Sequence, residues 1–292
     1  MNGVLVIDKP SGPTSFDVVR RVRALLGVRK VGHTGTLDPL ATGVLPVCVG
    51  QATRIAGFIT EGNKAYEAIV RLGVETDTLD AAGSEVASAP VPPLDAARLE
   101  AVLSRFRGTF LQTPPMYSAV KVRGRRLYEL ARAGEEVERA PRMVTVHELV
   151  LRDFSSDELR LSVACSKGFF VRSLAEEIGK ALGCGAHLRA LRRTRSGPFT
   201  LAQAVPLERL ESGDLAEVEA RLVSLNDALS ELPALRVSES DASRVGHGVP
   251  LEVSAPPGRV RVVDSGEGLL AIAEVGASGR LKYLRVLTSG DS

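Results

Sequence analysis

The sequence predicts an α+β fold that ends in a small β-rich unit. Strand-like apolar runs recur at residues 3–7, 44–49, 64–72, 144–154 and 159–165. Between them lie stretches with helical spacing of apolar residues, such as Val18, Val22, Leu25 and Leu26. From residue 235 onward, short β-rich runs at 259–263, 269–275 and 283–287 alternate with glycine turns, a pattern that suggests a small barrel. A chain of 292 residues can bury a full core and is long enough for two domains.

Taken in order, residues 3–7 form a first strand, broken by the loop Asp8-Lys9-Pro10-Ser11-Gly12-Pro13. Thr14 with Asp17 three residues on starts a helix through a capping box, and Gly27 stops it. The stretch from Gly32 to Gly43 is too rich in Gly and Pro for helix and lacks strand alternation, so it is a long loop anchored by the apolar run that follows. Asp38 within it is the only carboxylate between Asp17 and Glu61, an interval that holds Arg20, Arg21, Arg23, Arg29, Lys30 and Arg54. Basic surroundings hold an acid ionised, and in a packed loop that acid is a poised nucleophile or base. A simple Asp-Pro turn is the alternative.

Residues 52–59 form a short helix, and 64–72 a strand with Tyr66 near its start. Residues 73–83, with Asp77 and Asp80, read as a solvated polar loop without the paired spacing of a metal site. A proline-rich connector at 89–93 leads to an amphipathic helix over 94–106. The region after Lys121 is polar and mixed in charge, a composition that suits a movable flap or an ordinary surface excursion. Two strands then turn at Ser155-Ser156-Asp157, and Val171, Leu174, Ile178 and Leu182 make the buried stripe of the next helix. Residues 206–229 are acidic and helix-prone, and Leu232-Pro233 marks a boundary.

Composition narrows the class. No apolar run reaches the length of a membrane span, and the first residues lack a basic, cleavable leader. Cys48, Cys165 and Cys184 have no paired spacing, so neither a zinc site nor a disulfide framework follows, and the reducing cytoplasm is the expected compartment. Net charge is only +2, but residues 178–207 hold no carboxylate and carry Lys180, Arg189, Arg192, Arg193 and Arg195. That run is either a solvated surface strand or a phosphate-binding face; with the basic stretch around Asp38 it favours a polyanion.

The run Gly-His-Thr-Gly-Thr-Leu-Asp-Pro-Leu-Ala-Thr-Gly, continued to Leu45 and resumed at Gly50-Gln51-Ala52-Thr53, resembles the signature of the bacterial tRNA pseudouridine-55 synthases (TruB type). Three further stretches are similar to that family: Gln112 to Lys121, Cys165 to Arg172, and Gly183 to Arg193. The resemblance, more than the periodicity, implies the pseudouridine-synthase fold, a mixed and mainly antiparallel sheet with flanking helices. It implies a catalytic domain over 1–232 with a thumb-like insertion at about 121–147. A PUA-type RNA-binding domain over 233–292 would follow, matched best at Gly246-His247-Gly248-Val249-Pro250.

The resemblance also implies roles. Asp38 is the expected nucleophile or base, Arg172 its ion-pair partner, and Tyr66 the ring against the flipped uracil. His33 is the expected stacking residue that fills the vacated place in the RNA. Phe170, Leu191, Lys9 and Arg193 complete the expected substrate-binding set, although Lys9 looks structural, a brace for the loop. The family usually has tyrosine where this chain has Phe170, which removes a phenol hydroxyl there. The substrate is the T-arm stem-loop of tRNA. No cofactor, metal, membrane or obligatory protein partner is implied, and a monomer is expected. Three other readings remain: a non-catalytic RNA-binding protein, a hydrolase using Asp38 with Asp77, and a guide-RNA-dependent relative that needs partner proteins.

Overall fold

The computed structural model describes residues 1–212 and 215–287. Asp214 of the acidic stretch and the last five residues of the expected tail domain lie outside the described residues. In chain order the first half comprises β1 (Gly3–Lys9), α1 (Ser15–Leu26), β2 (Val31–His33), β3 (Thr42–Val49), α2 (Ala56–Thr60) and β4 (Lys64–Leu72). A small hairpin, β5 (Val74–Thr76) with β6 (Glu85–Ser88), precedes α3 (Ala96–Leu103) and β7 (Gly108–Gln112). Then come the short pair β8 (Lys121–Val122) and β9 (Arg125–Arg126), α4 (Leu127–Arg132), β10 (Arg142–Phe154), β11 (Glu158–Cys165), α5 (Val171–Leu182) and β12 (Ala186–Ser196). Elements β13 (Phe199–Thr200), β14 (Val205–Pro206), α6 (Leu207–Ser212) and α7 (Leu215–Ala220) close this part. The tail holds β15 (Ala234–Arg236), α8 (Glu239–Gly246), β16 (Gly258–Val263), β17 (Leu269–Val275) and β18 (Leu281–Val286).

The large sheet runs β14-β1-β3-β12-β4-β11-β10-β7, with β2 beside β3 and β13 beside β12. Its long pairings are antiparallel; β1 with β14 and β3 with β12 are parallel. The β3–β12 joint is short, with only Arg192 opposite Thr42 and Arg193 opposite Gly43. It divides the sheet into two halves with separate cores. One half packs Val70, Leu161 and Val163 against Leu174, Ile178 and Leu182 of α5 and Leu99 of α3. The other packs Leu5, Ile7, Leu45 and Val47 against Val18, Val19, Val22 and Leu26 of α1. Tyr66 and Leu191 are partly buried and touch both cores, so they line the seam between the halves.

Strands β1 and β3 read as unbroken apolar runs because both their faces are covered. Alternate residues Val4, Val6, Val44 and Cys48 point to the opposite side. There they meet Ala52, Ile55, Ile59 and Phe199, together with Ile272 and Leu287 of the tail. The tail's described strands form an open sheet in the order β15-β16-β17-β18, with one further bridge between Glu252 and Arg280.

Several expectations need correction. The loop is shorter than residues 32–43, because Val31–His33 pairs with Val47–Val49 of β3 and Thr42 already belongs to that strand. Of the stretch 121–147, residues from Arg142 on belong to β10 and pair with β7 in the large sheet. Within the stretch 121–141, Leu127 and Leu130 of α4 are buried. The polar loop 73–83 is not wholly solvated. Thr76 and Asp80 are buried there, held by the Ala81 N–H donating to Leu188 O at 3.0 Å. The carboxylate-free run 178–207 is no surface strand, for its β12 lies in the middle of the sheet.

Candidate active site

Asp38 sits on the loop 34–41 that enters β3, beside the short seam. That loop is pinned from three sides. The Leu37 N–H donates to Ser15 Oγ at 2.8 Å, and the Ser15 hydroxyl lies 3.0 Å from Leu37 O, which ties the loop to the start of α1. The Gly12 N–H donates to Pro39 O at 2.9 Å, and Lys9 Nζ donates to Pro10 O (2.8 Å) and Pro39 O (3.3 Å). From below, Arg193 of β12 donates to the carbonyls of Val44 (2.7 Å), Gly35 (3.1 Å) and Thr36 (3.4 Å). The close approach of Arg193 explains Gly43: its φ is +98°, and an added Cβ would stand 2.2 Å from Arg193 O.

Arg172, in the first turn of α5, reaches this loop. Its Nε lies 3.0 Å from Asp38 Oδ2, while Nη1 donates to Thr78 O at 3.0 Å and Nη2 to Tyr117 O at 2.7 Å. The side chain is buried, so three anchors from three distant segments fix the guanidinium plane. A second acid stands behind it. Asp80 Oδ2 is 3.8 Å from Arg172 Nε, and Asp80 Oδ1 accepts from Thr78 Oγ1 (2.7 Å) and the Ala82 N–H (3.0 Å). Sequence reasoning missed Asp80; its placement depends on the contact with Leu188, far away in the chain. Asp77, the acid of the hydrolase reading, turns instead to the Ser84 N–H at 2.8 Å.

The electrostatics follow from this packing. The Asp38 side chain keeps 38% of its surface open, with protein around the remainder. Burial pushes its carboxyl above the ordinary value, Arg172 and Lys9 pull it down, and Asp80 pushes it up. Tyr66 stands opposite Arg193 across β4 and β12. Burial raises its phenol above the usual value, against the pull of Arg193. The phenol therefore stays neutral and holds its proton. His33 accepts from the Gly35 N–H at Nδ1 (3.3 Å), and burial, then the charges of Arg193 and Arg126, lower its pKa. The imidazole is therefore neutral, which suits stacking. Arg126 belongs to β9, so the insertion reaches the His33 side of the loop.

Other expected residues sort differently. Leu191 lies on β12 opposite Ala68 and is partly open at the seam. Phe170 stands two residues before Arg172. Its backbone is clamped by Gln112, which accepts from the Phe170 N–H at 2.8 Å and donates to Phe170 O at 3.0 Å. Lys9 and Arg193, of the expected substrate-binding set, lie against the loop's carbonyls. They are 0% and 1% exposed and direct donors at loop carbonyls, so they brace the loop. Along β12 the basic residues divide: Arg193 is buried under the loop, Arg192 pairs with Asp8, and Arg189, on the surface, pairs with Glu158. Among the described residues no group of three or more His, Cys, Asp or Glu side chains could hold a metal ion. No described helix is long and apolar enough to cross a membrane.

The arrangement offers one carboxylate, aimed by a fixed guanidinium, beside the seam where Tyr66 and Leu191 touch both cores. Comparisons with known proteins agree on where such an arrangement belongs. The model of the TruB family pseudouridylate synthase N-terminal domain matches residues 23–171, and that of the tRNA pseudouridylate synthase B C-terminal domain matches residues 172–231. Among curated relatives, the tRNA pseudouridine synthase B of Stutzerimonas stutzeri (strain A1501) is 46% identical over 99% of this chain and 96% of its own. That of Burkholderia pseudomallei (strain 668) is 45% identical over 99% and 98%. Among solved structures, a chain of a Cbf5-Nop10-Gar1 complex superposes with a TM-score of 0.77 at 25% identity, covering 99% of this chain and 86% of that one. A chain of an H/ACA RNP bound to a substrate RNA containing 2′-deoxyuridine gives 0.71 at 26%, covering 98% and 79%. On the strength of the two matched models and the full-length relatives, this chain belongs to the TruB family of pseudouridylate synthases.

Proposed function

We propose that the chain isomerises uridine 55 in the T-loop of tRNA to pseudouridine, acting alone, as a monomer, in the cytoplasm. The observation that carries this reading is the 3.0 Å pair between Arg172 Nε and Asp38 Oδ2, beside the seam that Tyr66 lines. The reaction breaks the bond from ribose C1′ to uracil N1 and joins C1′ to C5. The C5 proton leaves and N1 carries a proton in the product, so mass is conserved and no redox partner is needed.

Each part of the site has a task in that sequence. Extracting a stacked base costs a few kcal/mol, and a side chain that fills the gap offsets it. His33, neutral and at the loop's edge, is placed to do so. Tyr66 and Leu191 sandwich the extracted uracil, and Phe170 adds apolar surface without a hydroxyl. Asp38 acts on the nucleoside as nucleophile or base, and Arg172 keeps it ionised and aimed. The tail domain is read as a PUA-type RNA-binding unit, and three buried, unpaired cysteines suit a reducing compartment.

The test uses the purified chain and an unmodified tRNA transcript, with pseudouridine mapped by its cyanoethylation. Conversion at the T-loop uridine is expected, and none with Asp38→Asn. Equal conversion by both proteins would overturn the role of Asp38. Free uracil in place of an isomerised nucleoside would favour a hydrolase. Dependence on added guide RNA or partner proteins would favour the guide-dependent relatives.

A further inference from the structure

We propose that Gln112 is a positioning residue for the isomerisation: it fixes the backbone of Phe170, and through it the first turn of α5, so that Arg172 keeps its aim on Asp38. Arg172 is the second residue of α5, and Phe170 is the N-cap of that helix. The N–H of an N-cap has no partner within its helix. In a capping box, a Glu or Gln at the third helical position accepts it. In α5 the third position is Ser173, and the Phe170 side chain caps nothing. Gln112, the last residue of β7, does that work from a distant strand. Its Oε1 accepts from the Phe170 N–H at 2.8 Å, and its Nε2 donates to Phe170 O at 3.0 Å. The same carbonyl takes the first helical bond, from the Leu174 N–H at 3.2 Å.

The frame around Gln112 is stiff. The residue is buried, and its backbone pairs with Arg142 of β10. The chain that leaves it, Thr113-Pro114-Pro115, has its φ angles fixed at both prolines, and Arg139 Nη1 donates to Pro114 O at 3.0 Å. Two residues further on, Tyr117 O accepts from Arg172 Nη2 at 2.7 Å. One segment therefore holds Arg172 at both ends, its backbone through Gln112 and Phe170 and its guanidinium through Tyr117. The buried guanidinium presents Nε to Asp38 while its other two nitrogens are committed to carbonyls. A planar fork engaged on three sides tolerates little movement of its own Cα. Misplacement by about 1 Å costs on the order of a hundredfold in rate. Without the clamp the first turn of α5 frays, and Arg172 pulls less on the Asp38 carboxyl, whose other charged neighbours are Lys9 and Asp80. This inference rests on the isomerase reading above.

The test compares wild type, Gln112→Met and Gln112→Asn in converting a T-arm stem-loop RNA. The wild-type chain must first convert it, which separates failure of the proposed function from failure of this inference. Methionine fills nearly the volume of glutamine without its hydrogen bonds. With it, kcat is expected to fall about tenfold to a hundredfold, and KM to stay near the wild-type value. The acid limb of the single-turnover rate should move to higher pH, because a loosened Arg172 no longer holds the Asp38 carboxyl down as far. In an Arg172→Lys background, which lacks the planar fork, Gln112→Met should add almost no loss. Gln112→Asn keeps the amide one methylene short of the clamp; it serves if the methionine variant folds poorly, and the same signs are expected. An unchanged kcat would overturn the inference, and if KM alone rose Gln112 would serve only the Phe170 ring. A full further loss in the Arg172→Lys background, or an acid limb that stays in place, would overturn it as well, because a merely structural defect gives that pattern.

Discussion

Asp38 is held ionised at a cost to the fold, and the sign of that cost can be measured. Its carboxyl has a pKa raised above 3.8, chiefly by burial. The folded chain therefore binds this proton more tightly than the unfolded chain does. Stability falls as pH rises through the window from 3.8 to the folded value, and the full cost stands above it. Asp38→Asn copies the neutral form, so it should abolish isomerisation while raising the melting temperature at pH 7. The gain should shrink as pH drops through that window. A lower melting temperature for the variant at pH 7 would mean that losing the pair with Arg172 outweighs relief of burial. The neighbours also set the acid limb of the single-turnover rate. Asp80 raises the Asp38 pKa and Lys9 lowers it. Asp80→Asn should therefore move the acid limb to lower pH and Lys9→Met to higher pH; shifts of the same sign in both would discard this account. The pairing of Asp38 with Arg172 was legible because each lies in a distinctive local motif, whereas Tyr66 stood out only through the family resemblance. Asp80 was not, because nothing local distinguishes it from Asp77: its burial depends on Leu188 of a strand that pairs much later in the chain.

At the scale of elements, two buried lysines close strand and helix ends that the loop depends on. Lys9 ends β1, and Lys64 begins β4 while donating to Thr60 O (2.6 Å) and Gly62 O at the end of α2. Burial lowers both to about 8 from 10.5. The unfolded chain binds these protons more tightly, so their cost is present below pH 8 and is relieved as pH rises toward 10.5. The thiols of Cys48 and Cys165 act the opposite way. Burial holds them near 12, so above their ordinary 9.0 the unfolded chain sheds protons that the fold keeps. Stability should climb between pH 8 and 9 and then flatten, as read by denaturant titration. Lys64→Met should roughly halve the climb, whatever it does to absolute stability; an unaltered slope would remove Lys64 from the account. The elements themselves were legible where capping and periodicity coincide, as at Thr14 to Gly27. They were not legible where pairing decides. The three residues of β2 are strand only because β3 lies alongside, and β12 looked like a basic surface because its countercharges, Asp8 and Glu158, come from other strands.

On the scale of the whole molecule, the tail is built into the core that backs the Asp38 loop. Ile272 of β17 and Leu287 join Val4, Val6, Val44 and Cys48, the rear faces of β1 and β3. Polar contacts frame that joint. Arg259 pairs with Glu61 at 2.5 Å and lies over the Phe58 ring at 5.5 Å; Lys167 meets the same Glu61 at 3.3 Å. Arg261 Nε donates to Leu232 O at 3.0 Å. Exposed pairs of this kind contribute little to stability, so the shared apolar core should decide the coupling. Ile272 is fully buried, and Ile272→Ala should cost about 2–5 kcal/mol, a fall in melting temperature on the order of 10 °C. Because the lost contacts belong to both parts, calorimetry should show one transition, displaced as a unit. If the tail were an independently stable module, two transitions would appear and only one would move. Well below the transition, the variant should convert RNA at the wild-type kcat, since β1, β3 and the loop 34–41 keep their hydrogen bonds. A kcat that falls in step with the lost packing would instead make the tail part of the machinery that aims Asp38.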